Sequence, residues 1–303
     1  MTTSGNRPAL RFTHFGAAGW SITDGDTVIL LDPYLSRVRF QDRRYGPNDA
    51  TDVPNDPRPV VKINEAANSD AEAIDRHVPK ADYVLLSHSH FNHAMDVPYI
   101  AKKTGAVVIG TESTCNIAIN GGVPDEQIHA VKGGEDYEYS AFSIRVIPSL
   151  HSALSCKLYK DFGTVRLKQE PLCLDEYVEG GTLAYLVRMG GREILLFGSM
   201  NFIEREVEGL RPDVAFIASA PPRLDIHDYT ARLMRCLGQP PLVVATHWDD
   251  QGLPFGAPQD KALAQTEAFI QEVKAASPQT EVFVPRHFQT LTLDASGRMR
   301  VAD

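Results

Sequence analysis

In Tyr83-Val84-Leu85-Leu86-Ser87-His88-Ser89-His90-Phe91-Asn92-His93 an apolar run of strand length breaks off into three histidines within six residues. Histidines two apart in an extended loop direct their rings to the same side, and the third comes from the start of a following helix. Neutral imidazole is a borderline ligand suited to Zn, Fe, Mn, Co or Ni. A rigid strand end is a good place to hold such ligands. The chain has ten histidines in all, so three in one short turn point to a metal centre over a solvated polar turn.

Outward from this turn, helical and strand patterns interleave. Upstream, Leu10–Phe15, Gly19–Ile22 and Thr27–Leu31 read as three strands, with Asp24-Gly25-Asp26 as a hairpin turn. From Asp32 to about Ser69 the pattern fails. This stretch carries Pro33, Pro47, Pro54, Pro57 and Pro59 with Arg37, Arg39, Arg43 and Arg44. It reads as a surface excursion over about 33–69, of the kind that often serves as a functional lid. Ser69 is expected to cap a helix over Asp70–His77. Helices follow at Ala94–Lys103, Glu112–Ile119, Asp228–Leu237 and Asp260–Ala275. Strands are expected at Ala106–Ile109, Phe142–Ile147, Thr182–Arg188, Glu193–Phe197, Leu242–Ala245, Glu281–Val284 and Thr290–Leu293. Helices among both hairpins and isolated buried strands predict an α/β protein whose sheets are covered by helices. No repeat or linker divides residues 1–303, so a single domain is expected.

The 303 residues are 43% hydrophobic and 23% charged, with a formal net charge of −9. This composition supports a sizeable core. An acidic surface repels phosphate backbones and anionic lipid, so neither nucleic acid nor membrane is an expected partner. No run approaches the ~18 apolar residues of a membrane span. Met1–Arg7 lacks the apolar stretch of a secretory signal. The four cysteines include no CxxC pair, which fits reduced thiols and a cytoplasmic location. Cys115 and Cys156 read as packing residues.

The turn His88-Ser89-His90-Phe91-Asn92-His93 resembles the His-x-His-x-Asp-His signature of the metallo-β-lactamase superfamily. Ala81–Ser87 is the matching preceding strand. The hairpin ending in Leu30-Leu31-Asp32-Pro33 is similar to that of the branch holding sugar-phosphate lactonases and N-acylphosphatidylethanolamine-hydrolysing phospholipases. The resemblance spans about Leu10 to Leu293. It implies an αββα sandwich with a metal site at one edge, and hydrolysis of a small ester, lactone or phosphodiester. It also implies that His88, His90 and His151 form a first metal site, with His93 and His247 belonging to a second.

Two positions depart from that pattern. The signature's Asp is Asn92, and the acid that normally bridges two metals is Ser199. Two divalent ions ~3.5–4 Å apart repel by on the order of 20 kcal/mol at an effective dielectric of 20. Without carboxylates to offset this, one ion is expected, zinc first, with Mn, Fe, Co or Ni as alternatives. His93 and His247 are then freed for proton transfer. A three-histidine metal with an open position lowers the pKa of its water to about 7. Asn92 or Ser199 is a candidate to orient that water, and Asp249 or Asp250 to act as base. Loss of both acids also motivates an alternative: a non-hydrolytic biosynthetic enzyme, or a degenerate member that binds a ligand without turnover.

His227 is a candidate substrate contact, although Asp225 or Asp228 beside it reads as a helix cap. The four arginines of the excursion read as a solvated face over an anion clamp. The insertion over about 152–180 either walls the pocket of a small-molecule substrate or builds a homo-oligomer contact.

Overall fold

The computed structural model describes residues 8–41, 55–153, 161–168 and 170–302. Arg43, Arg44, Pro47, Pro54 and Cys156, singled out above, lie outside these residues. The chain opens with an antiparallel meander, β1 (Leu10–Gly16), β2 (Gly19–Thr23) and β3 (Val28–Leu31). Asp24 Oδ1 accepts the amides of Asp26 and Thr27 in the turn between the last two strands, where Gly25 takes φ 108°. The strands β4 (Arg39–Gln41) and β5 (Val60–Lys62) then pair in parallel as a small separate ribbon.

Helix α1 (Ala71–His77) leads to β6 (Tyr83–Leu85), α2 (Phe91–Ala94), α3 (Val97–Thr104), β7 (Val107–Gly110), α4 (Glu112–Asn120) and β8 (Ile128–Ala130). A second series follows: β9 (Asp136–Glu138), β10 (Phe142–Pro148), β11 (Leu183–Met189), β12 (Arg192–Phe197), α5 (Glu204–Val207), β13 (Val214–Ala218), α6 (Tyr229–Cys236), β14 (Leu242–Thr246), α7 (Asp260–Ala276) and β15 (Glu281–Phe283). The chain ends in β16 (Thr290–Leu293) and β17 (Met299–Val301).

Two sheets result. One is eight-stranded in the order β17-β16-β1-β2-β3-β6-β7-β8, and the other seven-stranded in the order β15-β14-β13-β12-β11-β10-β9. They pack face to face. Phe12, Trp20 and Ile29 of the first meet Leu196, Phe216 and Val244 of the second in one buried cluster. The Phe216 ring stands edge-on to Trp20 at 4.7 Å and 5.3 Å from Phe12. The outer face of the first sheet buries Ile74, Ile100 and Ile117 from α1, α3 and α4. The outer face of the second buries Val207, Leu233 and Phe269 from α5, α6 and α7. This is the expected αββα sandwich. No helix among the described residues is long and apolar enough to cross a membrane.

Several local expectations need correction. Asp70, not Ser69, caps α1, accepting the Ala73 amide on its side chain. The single helix expected over Ala94–Lys103 is two, α2 and α3. Buried Asp96 sits at the break and accepts the Leu35 and Ser36 amides and the Ser36 hydroxyl. Pro98, in the first turn of α3, cannot donate a helical hydrogen bond. Strands β4, β5, β8, β9, β13 and β17 were not anticipated. Of these, β13 left a signal: Val214-Ala215-Phe216-Ile217-Ala218 is buried at every residue, a continuous apolar run of the kind a strand between parallel neighbours shows. The described start of the excursion also turns inward, with Tyr34, Leu35 and Arg37 about 1% exposed.

Phe216 bridges the sheets, so Phe216→Ala is expected to cost about 3–5 kcal/mol. The check is urea unfolding, with a lowered midpoint and an unchanged slope.

Candidate metal centre

Residues that follow β6, β10, β12 and β14 meet at one edge of the sandwich. The histidine turn leaves β6 with Ser87, whose amide donates to Asp32 Oδ1 at 2.7 Å and whose hydroxyl donates to Asp32 Oδ2 at 2.5 Å. Asp32 ends β3, the parallel neighbour of β6. Ser89 faces the opposite way from its flanking histidines: its amide donates to the Glu179 carbonyl at 3.0 Å and its hydroxyl to the Val178 carbonyl at 2.6 Å. Pinning Ser89 there turns His88 and His90 toward the same space. Gly198, after β12, lies so close that a Cβ would fall 2.0 Å from Ser87 Oγ and 2.3 Å from Asp32 Oδ2. Only glycine fits that approach.

The five histidines converge. Ring centroids are 4.9 Å apart for His88–His90, 4.7 Å for both His88–His151 and His90–His151, 3.8 Å for His88–His93 and 5.3 Å for His93–His247. One nitrogen each of His88, His90 and His151 lie within 4.8 Å of one another. Three rings are oriented from behind: His88 Nδ1 by Ser87 Oγ at 3.0 Å, His93 Nδ1 by Asp32 Oδ2 at 2.9 Å and His151 Nδ1 by the Ser152 carbonyl at 3.0 Å. Nε2 of each is thereby aimed inward, the arrangement by which outer partners orient metal-binding imidazoles. His88 Nε2 and His90 Nε2 are buried and accept no hydrogen bond. Buried nitrogens left in this state are costly in a protein without a partner. The residues fit a metal of the borderline class.

Burial sets the electrostatics. It lowers the pKa of His88, His90 and His93 well below the usual imidazole value, reinforced by neighbouring rings. It lowers His151 too, and His247 to about 4. All five therefore stand neutral, as ligands must be. Burial pushes Asp32 up to about 7, against the two Ser87 hydrogen bonds and the His247 charge. The Asp32–His93 contact is thus a buried hydrogen bond, with a full ion pair disfavoured from both sides.

Asp249 lies just past His247 and differs from the expected base. Its Oδ1 accepts the Ala17 amide at 2.8 Å, and its Oδ2 accepts Arg37 Nη1 at 2.6 Å and His287 Nε2 at 2.8 Å. Burial alone would raise its pKa, but the Arg37 charge and the His287 hydrogen bond hold it well below the carboxylate range. A carboxylate so held is a poor proton acceptor. Arg37 likewise departs from the solvated face expected for it. Its Nε donates to the Leu253 carbonyl at 2.7 Å and its Nη2 to the Asp250 carbonyl at 2.6 Å. Asp32, Arg37 and His247 all adopt positive φ, between 43° and 50°. Backbone held in this sparsely populated region collects at functional sites.

The histidines open into a cavity of about 440 Å³. Its walls are largely apolar, including Tyr34, Phe40, Ile63, Phe91, Leu174 and Met200. Asn92 and Ser199 reach it, but both are engaged. Asn92 Nδ2 donates to Gln251 Oε1 at 2.8 Å, and Ser199 Oγ accepts the Ser152 amide at 3.0 Å. Asp250 lines the wall, and the insertion after β10 contributes Asp161, Leu174, Asp175 and Tyr177. His227 does not line the cavity; its side chain is 86% exposed beside Asp228. The 3-10 turn Pro221–Asp225 carries it outward, which does not match the substrate contact expected of it. In sequence, Arg37 reads as part of a solvated face, and nothing there assigns a site role to Asp32, His287 or Gly198. Asp32 alone left a trace, as an acid closing an apolar strand.

Two outcomes follow from this arrangement. Arg37→Gln strands Asp249 in the interior and should cost about 3–5 kcal/mol, read as a lowered denaturation midpoint. An ordinary imidazole loses metal as pH falls through about 6.5. These rings stay neutral lower, so the pH at which metal is lost on dialysis should fall below about 6.5.

Residues 11–247 match the family described as the beta-lactamase superfamily domain. A UPF0173 metal-dependent hydrolase of Heliobacterium modesticaldum is 26% identical over 200 residues, which are 66% of this chain and 63% of that protein. One from Flavobacterium johnsoniae is 24% identical over 144 residues, 48% and 49% of the two chains. The chain thus spans about half to two thirds of the length of these curated relatives. Among solved structures, that of Igni18, a metallo hydrolase from Ignicoccus hospitalis, superposes with a TM-score of 0.58 at 17% identity, covering 94% of this chain and 99% of its own. By sequence and by architecture, this chain belongs to the metallo-β-lactamase superfamily.

Proposed function

We propose that this protein is a metal-dependent hydrolase of a small ester, lactone or phosphodiester. The observation that carries the reading is the set of inward-facing imidazole nitrogens of His88, His90 and His151 at the mouth of a largely apolar cavity. The names of the curated relatives agree with it. One ion is expected, zinc before Mn, Fe, Co or Ni, because nitrogen donors dominate and neither Asn92 nor Ser199 supplies a bridging carboxylate.

When bound, the ion supplies Lewis acidity and an activated water near neutral pH. The chain's own residues do the rest. Ser87, Asp32 and the Ser152 carbonyl hold the imidazoles in the tautomer that leaves Nε2 free. His93 and His247 are neutral and adjacent, placed to pass a proton at the cavity floor. Asn92 and Ser199 fix the walls through Gln251 and Ser152, and both line the cavity. Asp249 is a positioning residue: with Arg37 it holds the strand end that presents His247. The apolar wall excludes water and favours a substrate with an apolar body.

The test is metal content and turnover of purified protein on a panel of esters, lactones and phosphodiesters. One ion per chain is expected, with activity lost on chelation and absent in His88→Ala. Two ions per chain would overturn the single-metal assignment. Metal-loaded protein inert on every substrate class would instead favour a non-hydrolytic enzyme or a ligand-binding member of the fold.

A further inference from the structure

We propose that Arg39, in the wall of the cavity, anchors an anionic group of the substrate. The substrate is then an amphipathic anion: an apolar body ending in a carboxylate or phosphate, separate from the bond that is cut. This rests on the hydrolase reading above and deepens it by naming a substrate class.

Arg39 lies on β4, opposite Val60 of β5. In sequence it belongs to a run of arginines that reads as a solvated face. In the fold it lines the cavity of the histidines, and among the described lining residues it is the sole arginine or lysine. Its Nε is buried and has no hydrogen-bond partner. Asp56 Oδ2 stands 3.9 Å away, beyond hydrogen-bond reach. That carboxylate is already held by Arg58. Arg58 Nη2 donates to Asp56 Oδ2 at 2.6 Å, and Arg58 Nε and the Arg58 amide each donate to Oδ1 at 3.0 Å. One carboxylate between two guanidiniums leaves one positive charge over. A buried donor without an acceptor carries a desolvation cost, which an oxygen of a bound anion removes. The fork of a guanidinium suits carboxylate and phosphate alike.

The base from which Arg39 extends is held in place. Arg58 also donates to the Arg37 and Gly252 carbonyls, tying this segment to the loop after β14. The surface beside Arg39 is aromatic. Phe40 stands edge-on to Phe91 at 5.1 Å, and Phe91 edge-on to Tyr34 at 6.2 Å; all three line the cavity. A cation beside such a wall complements a molecule with an apolar body and one charged end. Asp161, Asp175 and Asp250 also line the cavity. Asp175 and Asp250 are exposed, where water and salt screen them, and Asp161 stands 3.8 Å from His90 Nε2. These acids repel an anion from their own parts of the wall, which favours its binding at Arg39.

The experiment titrates the purified full-length protein, by ligand-observed NMR, with phenylacetate, benzylphosphonate and the neutral phenylacetamide. Wild type is compared with Arg39→Gln, Arg39→Met and a control, Arg205→Gln, whose side chain is 85% exposed on α5. Metal content and thermal midpoint are recorded for each. Wild type and the control are expected to bind one anion at least about 10-fold more tightly than the amide. Both Arg39 variants are expected to lose that preference and keep the affinity for the amide, the metal content and the midpoint. The preferred anion tells carboxylate from phosphate. The proposal is overturned if wild type binds neither anion more tightly than the amide, including the case in which nothing binds. It is overturned equally if the preference survives in either Arg39 variant, which would place the anion on the metal or elsewhere in the wall. Turnover is scored separately. An Arg39-dependent preference in protein inert on every substrate class sinks the hydrolase reading and leaves the anchor; turnover without the preference does the reverse.

Discussion

The buried carboxylate of Asp32 is the joint on which the site depends. It ends β3, beside the parallel strand that delivers the histidines, and takes hydrogen bonds from the Ser87 amide, the Ser87 hydroxyl and His93 Nδ1. One side chain thus fixes where the turn begins and how one of its rings points, while Ser87 passes the constraint on to His88. Burial makes the arrangement sensitive: an unmet donor here would bear a full desolvation cost. The positive φ of Asp32 and the close approach of Gly198 are the backbone's accommodation to this joint.

Opposite it, Arg37 and Asp249 perform the matching task for His247. The guanidinium is shared among the Asp249 carboxylate and the carbonyls of Asp250 and Leu253. Arg58 adds bonds to the Arg37 and Gly252 carbonyls. The segment after β3 is therefore woven into the loop after β14. A buried pair of this kind contributes geometry more surely than stability. Here the geometry is that of a histidine whose strand ends far away in sequence from the other four.

Five neutral imidazoles meet in this centre, while the acids beside His93 and His247, Asp32 and Asp249, are already engaged by Ser87, Arg37 and His287. Ordinary members of such a fold offset ionic charge with carboxylates at positions that are Asn92 and Ser199 here. Both replacements have settled into other hydrogen bonds, so neither is poised to take up the missing role by a simple rotation. The described part of the chain after β10 contributes Asp161 and Asp175 to the cavity wall, as the loop after β14 contributes Asp250.

Much of the architecture was readable from local pattern. The apolar strand ending in His88-Ser89-His90 and the antiparallel opening meander both appear where alternation and turn residues place them, because those signals depend on neighbours within a few positions. The order of His151 and His247 after their strands was also accessible, through the family likeness. What local pattern did not carry was every contact made across long sequence separation. Arg37 looks like one of a run of surface cations until Asp249, 212 residues on, meets it. Asp249 looks like a free base until Arg37 and His287 occupy it. Asp161 lies in an insertion without periodicity, and nothing near it in sequence points to His90. Composition and periodicity decide which segments become strands and which faces are buried. Only the packed sandwich decides which polar groups share one dry pocket, because that depends on the paths of strands whose order in space differs from their order in the chain.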